Sequence, residues 1–117
     1  ALSSAASDVY KRQVKRARLT ATSAQIQADA NIRELRNKTF ELEASLRRYN
    51  ESLRYYTSSA LKEADELTKA ANLQLQQSET GIAEYIQSIT TAREIRRGYI
   101  ETVYQYNIAA LEYELFK

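Results

Sequence analysis

The chain has 117 residues, a net charge of +2, two glycines, and no proline, cysteine, histidine, methionine or tryptophan. Losing Cys, His and Met together removes thiol nucleophiles, imidazole bases and the soft metal ligands, while the lack of cysteine fits any redox compartment. What remains, rich in Ala, Leu, Glu, Gln, Arg and Lys, is the composition of long helices and coiled coils, with no apolar run near the length of a membrane span.

The small net charge hides a gradient. Lys11 to Arg54 holds eleven basic against five acidic residues, Tyr55 to Ala92 two against five, and Arg93 onward four against four. The middle of the chain is therefore acidic and its first third basic.

Ala1–Ser7 is small and polar, without the charged start and apolar stretch of a signal peptide. Asp8-Val9-Tyr10-Lys11-Arg12-Gln13 reads as the translated end of a transposon adapter used to prepare sequencing libraries. Residues 1–13 are accordingly expected to be a scar or a disordered lead, with the native protein continuing upstream. An ordinary basic helix start is the other reading.

A first helical arm is expected over about 14–77. Ala28, Ile32, Leu35, Thr39, Leu42, Leu46, Tyr49, Leu53, Tyr56 and Ala60 alternate steps of four and three. That is a heptad seam, which supercoils a helix left-handedly against a partner. The row continues through Ala64, Leu67, Ala71 and Leu75 (or Gln74). From Ala60 to Ala64 it takes a second step of four in succession, a stutter that unwinds the supercoil locally. Ala60, Ala64, Ala70 and Ala71 let a neighbouring helix come close. Such an arm would be roughly 90–100 Å long at ~1.5 Å per residue, and helices of that length are held by partner helices.

Ser78-Glu79-Thr80-Gly81 is the one place in the middle of the chain where a glycine joins other turn-formers. It predicts the tip of a hairpin at about 78–81. The second arm, about 82–117, carries Ile82, Tyr85, Ile89, Ala92, Arg96, Tyr99, Val103, Tyr106, Ala110 and Tyr113 in a three–four alternation. A second row runs Ile86, Ile100, Ile108, Leu111, Leu115, so the apolar surface is wider than one seam and predicts contacts on two sides. Gly98 lies inside this arm, where it costs about 1 kcal/mol against Ala and predicts a bend or a close helix approach. The predicted fold class is all-α: a long antiparallel coiled-coil hairpin whose packing seam includes Leu42, Leu46, Tyr49, Leu53, Tyr56, Tyr85, Ile89, Tyr99, Val103 and Tyr106.

Chemistry finds little purchase on this pattern. Glu63 with Glu66, or Glu79 with Glu84, could form acid–base pairs, but catalysis wants such groups in a dry pocket, which a hairpin lacks. No phosphate-cradling glycine loop or nucleophile motif is present. The expectation is no enzyme activity, no catalytic residue, no cofactor and no metal site. Lys11, Arg12, Lys15, Arg16 and Arg18 form a basic cluster, but part of it falls in the suspected scar and the later helix has mixed charges, so nucleic acid is not an expected partner. A helix lying on a membrane surface would need a broad apolar stripe beside that cluster, which is missing. Tyr85, Tyr99, Tyr106 and Tyr113, spaced by multiples of seven, are expected to pack in the seam with hydroxyls at its edge.

Leu75-Gln76-Gln77-Ser78-Glu79-Thr80-Gly81-Ile82-Ala83-Glu84-Tyr85-Ile86-Gln87 resembles the hairpin tip of TolC-like outer-membrane efflux proteins. Tyr55-Tyr56 followed by Ala60-Leu61-Lys62-Glu63-Ala64 is similar to the family's descending helix. The run from Ala92 through Tyr99 and Tyr106-Asn107-Ile108-Ala109 to Glu112 is similar to its returning helix. Glu84-Tyr85-Ile86-Gln87 looks like the heavy-metal branch, including versions fused to a proton-driven pump. The likeness covers about residues 15–117, one hairpin. Leu75 stands where the family usually has Tyr, and Ser78 where it usually has Gly; Gly81 is expected to take over the left-handed turn.

The resemblance implies one periplasmic hairpin of an efflux conduit in a Gram-negative bacterium. Copies would self-associate, as a trimer, into an α-barrel closed at its tips. A periplasmic adaptor would grip Ser78, Glu79, Thr80, Gly81 and Ile82, an inner-membrane pump would feed the channel, and acidic residues near the aperture would favour metal cations. Two rivals stand beside it: the coiled-coil hairpin of an adaptor, flanked by lipoyl-like β segments, and a cytoplasmic scaffold coiled coil, which predicts one narrow seam.

Overall fold

The computed structural model describes residues 2–117, with side chains from Ser3 onward. The described chain is helical apart from one short turn and the last residue. α1 runs Leu2–Tyr55, a π-helical segment covers Tyr56–Ala60, α2 runs Leu61–Gln76, and α3 runs Ile82–Phe116. The chain divides into two units, Ala1–Lys38 and Thr39–Lys117.

The first unit is continuous helix over its described residues. α1 begins at Leu2 rather than near Val14, so residues 2–13, expected as a scar or a disordered lead, lie in helix. Ala1 lies outside the described residues. Nothing in Ser3–Gln13 stops a helix, since the stretch has no Gly or Pro. Nearly every side chain here is exposed, including Leu19 at 62% and Ile26 at 61%. Seam positions Ala28, Ile32 and Leu35 are exposed as well.

The second unit is the hairpin, with α2 packed antiparallel against α3 and the end of α1 tied to α3 by hydrogen bonds of Glu43 with Tyr113 and Thr39 with Phe116. From Thr39 onward every expected seam position of the first arm is buried or half-buried: Thr39, Leu42, Leu46, Tyr49, Leu53, Tyr56, Ala60, Ala64, Leu67, Ala71 and Leu75. On α3, Tyr85, Ile89, Ala92, Arg96, Tyr99, Val103, Tyr106, Ala110 and Tyr113 share that state. Ile82, expected to open the α3 seam, is instead 63% exposed, because it is the first helical residue after the turn and projects past its partner arm. Gln74, the other expectation for the end of the row, is exposed, and Leu75 takes the place.

The most buried residues are Leu42, Ala60, Ala64, Ala71, Ala92 and Ala109. Five of the six are alanine. A seam lined by methyl groups lets two backbones come close and gains more from dispersion between well-packed atoms than from large area.

The expected stutter coincides with a change of helix type. Two steps of four, Tyr56 to Ala60 to Ala64, need more residues per turn than the 3.6 of an α-helix. Over Tyr56–Ala60 the helix widens, and the Leu61 amide donates to the Tyr56 carbonyl, five residues back. Carbonyls of the preceding turn gain hydroxyl partners. Thr57 Oγ1 donates to Leu53 O at 2.9 Å, Ser58 Oγ to Tyr55 O at 3.4 Å, and Ser59 Oγ to Tyr55 O at 3.3 Å. Such back-bonding competes with the regular ladder, so the sequence Thr57-Ser58-Ser59 helps hold the wide turn.

Candidate functional site

The tip is built from helix-capping chemistry. α2 ends in a Schellman motif: the Glu79 amide donates to Gln74 O at 2.8 Å, and the Ser78 amide to Leu75 O at 3.1 Å. The residue between these bonds must turn left-handed, and Ser78 does so with φ 56°. Gly81 was expected to supply that conformation. It is instead extended, with φ −82° and ψ 168°, as the N-cap of α3. Glu84 holds that cap. Its Oε2 accepts the Gly81 amide at 2.7 Å and the Thr80 hydroxyl at 3.1 Å, which is the return half of a capping box. Gly81 has no side chain to complete the other half. The left-handed residue is set by where α2 ends: the bonds to Gln74 and Leu75 place it at Ser78, and Gly81, three residues on, caps the next helix.

Ser78, Glu79, Gly81 and Ile82 are exposed at this turn, and Thr80 is half-buried. Of the two tip acids, Glu84 is engaged in the cap, while the Glu79 side chain projects at the turn. The exposed negative charge at the turn is thus Glu79 foremost.

Below the tip, polar groups bridge the arms at intervals beside the alanine seam. Tyr85 Oη donates to Asn72 Oδ1 at 2.9 Å. Arg96 Nη2 sits 2.9 Å from Asp65 Oδ1 and donates to Thr68 Oγ1 at 3.3 Å. The Tyr56 and Tyr99 rings lie tilted with centroids 5.9 Å apart. Tyr113 Oη donates to Glu43 Oε1 at 3.3 Å, and Thr39 Oγ1 to Phe116 O at 3.4 Å. The tyrosines were expected at seam edges; their partners Asn72 and Glu43 were not identified in the sequence, nor were Asp65 and Thr68. All four flank seam positions by one residue, which was the available signal.

Gly98 has a specific neighbour. A Cβ at this position would fall against Tyr56 Oη and only 3.2 Å from Tyr56 Cζ. The glycine is a notch for the tyrosine ring, so a side chain of the π-helical segment, rather than a helix backbone in close approach, takes the space.

α3 has a further surface outside the hairpin contact. Ile86, Ile100, Tyr104, Leu111 and Leu115 are 56–80% exposed, while Ile108 is half-buried. Arg93, Glu94 and Arg97 border Ile100 in a shallow open groove. None of this is a water-excluding pocket. Among the described residues, no group of three His, Cys, Asp or Glu could hold a metal ion, and no helix is long and apolar enough to cross a membrane.

No family model matches the chain. No curated protein and no solved structure matches it either.

Proposed function

We propose that the chain is one periplasmic hairpin of an outer-membrane efflux conduit of the TolC-like kind, exporting metal cations or other toxic solutes. The observation that carries this reading is the double surface of α3. One stripe, Tyr85 to Tyr113, is taken up by the first arm, and a second, from Ile86 to Leu115, is left in solvent. A helix with two apolar stripes is suited to standing between neighbours in a wall, whereas a two-helix scaffold requires only one. The likeness of the tip and of Tyr106-Asn107-Ile108-Ala109 to that family supplies the rest.

On this reading the alanine seam makes each hairpin a thin, stiff stave. Ile86, Ile100, Tyr104 and Leu111 lie against the next stave, and the turn Ser78–Ile82 meets a periplasmic adaptor. Glu79 places negative charge near the aperture, where it raises the local concentration of cations without selecting among them. The chain contributes walls and docking; an inner-membrane pump contributes energy and choice of substrate. The localisation that follows is the periplasmic portion of an outer-membrane protein in a Gram-negative bacterium.

A native DNA read across the codons for Asp8–Gln13 tests the proposal. An upstream barrel segment and a first hairpin are expected, and pump-like membrane helices farther upstream would identify a pump–channel fusion. Lipoyl-like β segments flanking the hairpin would favour an adaptor instead. An uninterrupted coiled coil upstream would remove the efflux reading and leave a scaffold.

A further inference from the structure

We infer that the level of Tyr56 and Gly98 is a register joint, at which the first arm stores a surplus residue in its π turn and can release it. This inference stands on the hairpin alone and does not depend on the efflux reading. The first observation is the mismatch of lengths. From the Asn72–Tyr85 level to the Tyr56–Tyr99 level, the first arm advances sixteen residues and α3 fourteen. From there to the Glu43–Tyr113 level the numbers are thirteen and fourteen. Over the whole span the first arm advances twenty-nine residues and α3 twenty-eight, an excess of one that falls on the tip side of Tyr56, where the π turn sits. A π turn holds one residue more than the α turn it replaces.

The second observation is that both helices are weakened at this one level. On the first arm the Leu61 amide reaches back five residues to Tyr56, and Thr57, Ser58 and Ser59 offer hydroxyls to the carbonyls before them. On α3, Gly98 lowers helix propensity, and its carbonyl accepts the Thr102 hydroxyl at 2.7 Å. The third is a latch between them. Tyr56 is the first residue of the π turn, its ring packs on Tyr99, and its hydroxyl occupies the notch that Gly98 leaves.

Returning the turn to α geometry would move α2 by about one residue along the seam, ~1.5 Å of rise and ~100° of rotation. The joint thus lets the tip side of the first arm adjust its phase against α3 while the base side, from Tyr49 to Glu43, stays seated.

Hydrogen exchange on the full 117-residue chain is the first test. The Leu61 amide should exchange at least about tenfold faster than those of Leu67 and Ala71 in regular α2. The second test deletes Ser58. Register is read from two engineered cysteine pairs joined by a short bismaleimide crosslinker, Asn72→Cys with Tyr85→Cys near the tip and Glu43→Cys with Tyr113→Cys near the base. With the surplus removed, both pairs should still close, and Leu61 exchange should slow to match its neighbours. Deleting Glu66, inside regular α2, should draw the surplus out of the π turn, so that the tip pair still closes while Leu61–Asp65 pass out of phase and Tm falls by about 10 °C. Equal protection at Leu61 and Leu67 in the unaltered chain would overturn the inference, even if the deletion variant failed to fold. So would loss of the tip pair in the Glu66 deletion while the base pair still closes.

Discussion

At the scale of single residues, Ser78 and Gly98 do opposite things with the same chemical difference. Ser78 carries a Cβ in a left-handed conformation, which costs a non-glycine residue roughly 1–2 kcal/mol. Ser78→Gly removes that strain and gives back part of it as chain entropy, for a net gain of about 0.5–1 kcal/mol, and chemical denaturation should show a higher midpoint at unchanged slope. Gly98 has the reverse problem. On propensity alone Gly98→Ala should stabilise α3 by about 1 kcal/mol, but the new methyl would meet Tyr56 Oη and Cζ. Displacing a packed ring costs about 1–3 kcal/mol, so the expected sign is destabilising. Tyr56→Phe removes the hydroxyl, and the double variant should recover part of the loss. A double-mutant cycle showing strict additivity would mean that Tyr56 does not rest in the notch.

At the scale of elements, Arg96 is the seam residue that breaks the apolar pattern. It is half-buried, its side chain 40% exposed against 63% for Asp65, so the ion pair is screened and contributes about 0–1 kcal/mol. Its effect is better sought in alignment than in stability, as with polar seam residues of coiled coils. Arg96→Leu should hold or raise Tm while letting the arms pair out of phase, seen as extra crosslinked species when single cysteines are placed along both arms. The same distinction explains what the sequence discloses. The heptad positions Leu42 to Ala71 and Tyr85 to Tyr113 are legible because periodicity is local and repeats for many turns. The stutter at Ala60–Ala64 marks the irregular turn in advance. Its π form depends on how many residues α3 sets opposite, which no local pattern contains. The choice of Ser78 over Gly81 for the left-handed turn likewise rests on where α2 ends, at the bonds to Gln74 and Leu75, a boundary that no glycine or proline marks in the sequence. Asn72 and Glu43 were missed because a polar residue beside a seam looks the same whether solvated or bridged.

At the scale of the whole molecule, what matters is the apolar surface that the hairpin does not use. Ile100 and Leu111 are each 67% exposed, Leu115 80%, and Tyr104 60%, all on α3 at spacings that keep them on one side. Scattered exposed apolar residues are ordinary, but a contiguous stripe of them marks an interaction surface. The charges along it are mixed, with Arg93 and Arg97 beside Glu94 and Glu101, so like-charge repulsion does not oppose two such stripes meeting. The full chain should therefore associate beyond the monomer at about 50–100 μM, a range in which modest apolar burial suffices. Ile100→Glu combined with Leu111→Glu should return it to monomer in sedimentation velocity. Neither side chain contributes to the seam between the arms, so helix content and Tm should stay near those of the unaltered chain. Loss of association together with loss of the hairpin would show that the stripe supports the fold itself. A chain that stays monomeric before any substitution would deny that the stripe binds a second copy, and with it the packing of hairpins side by side through this face.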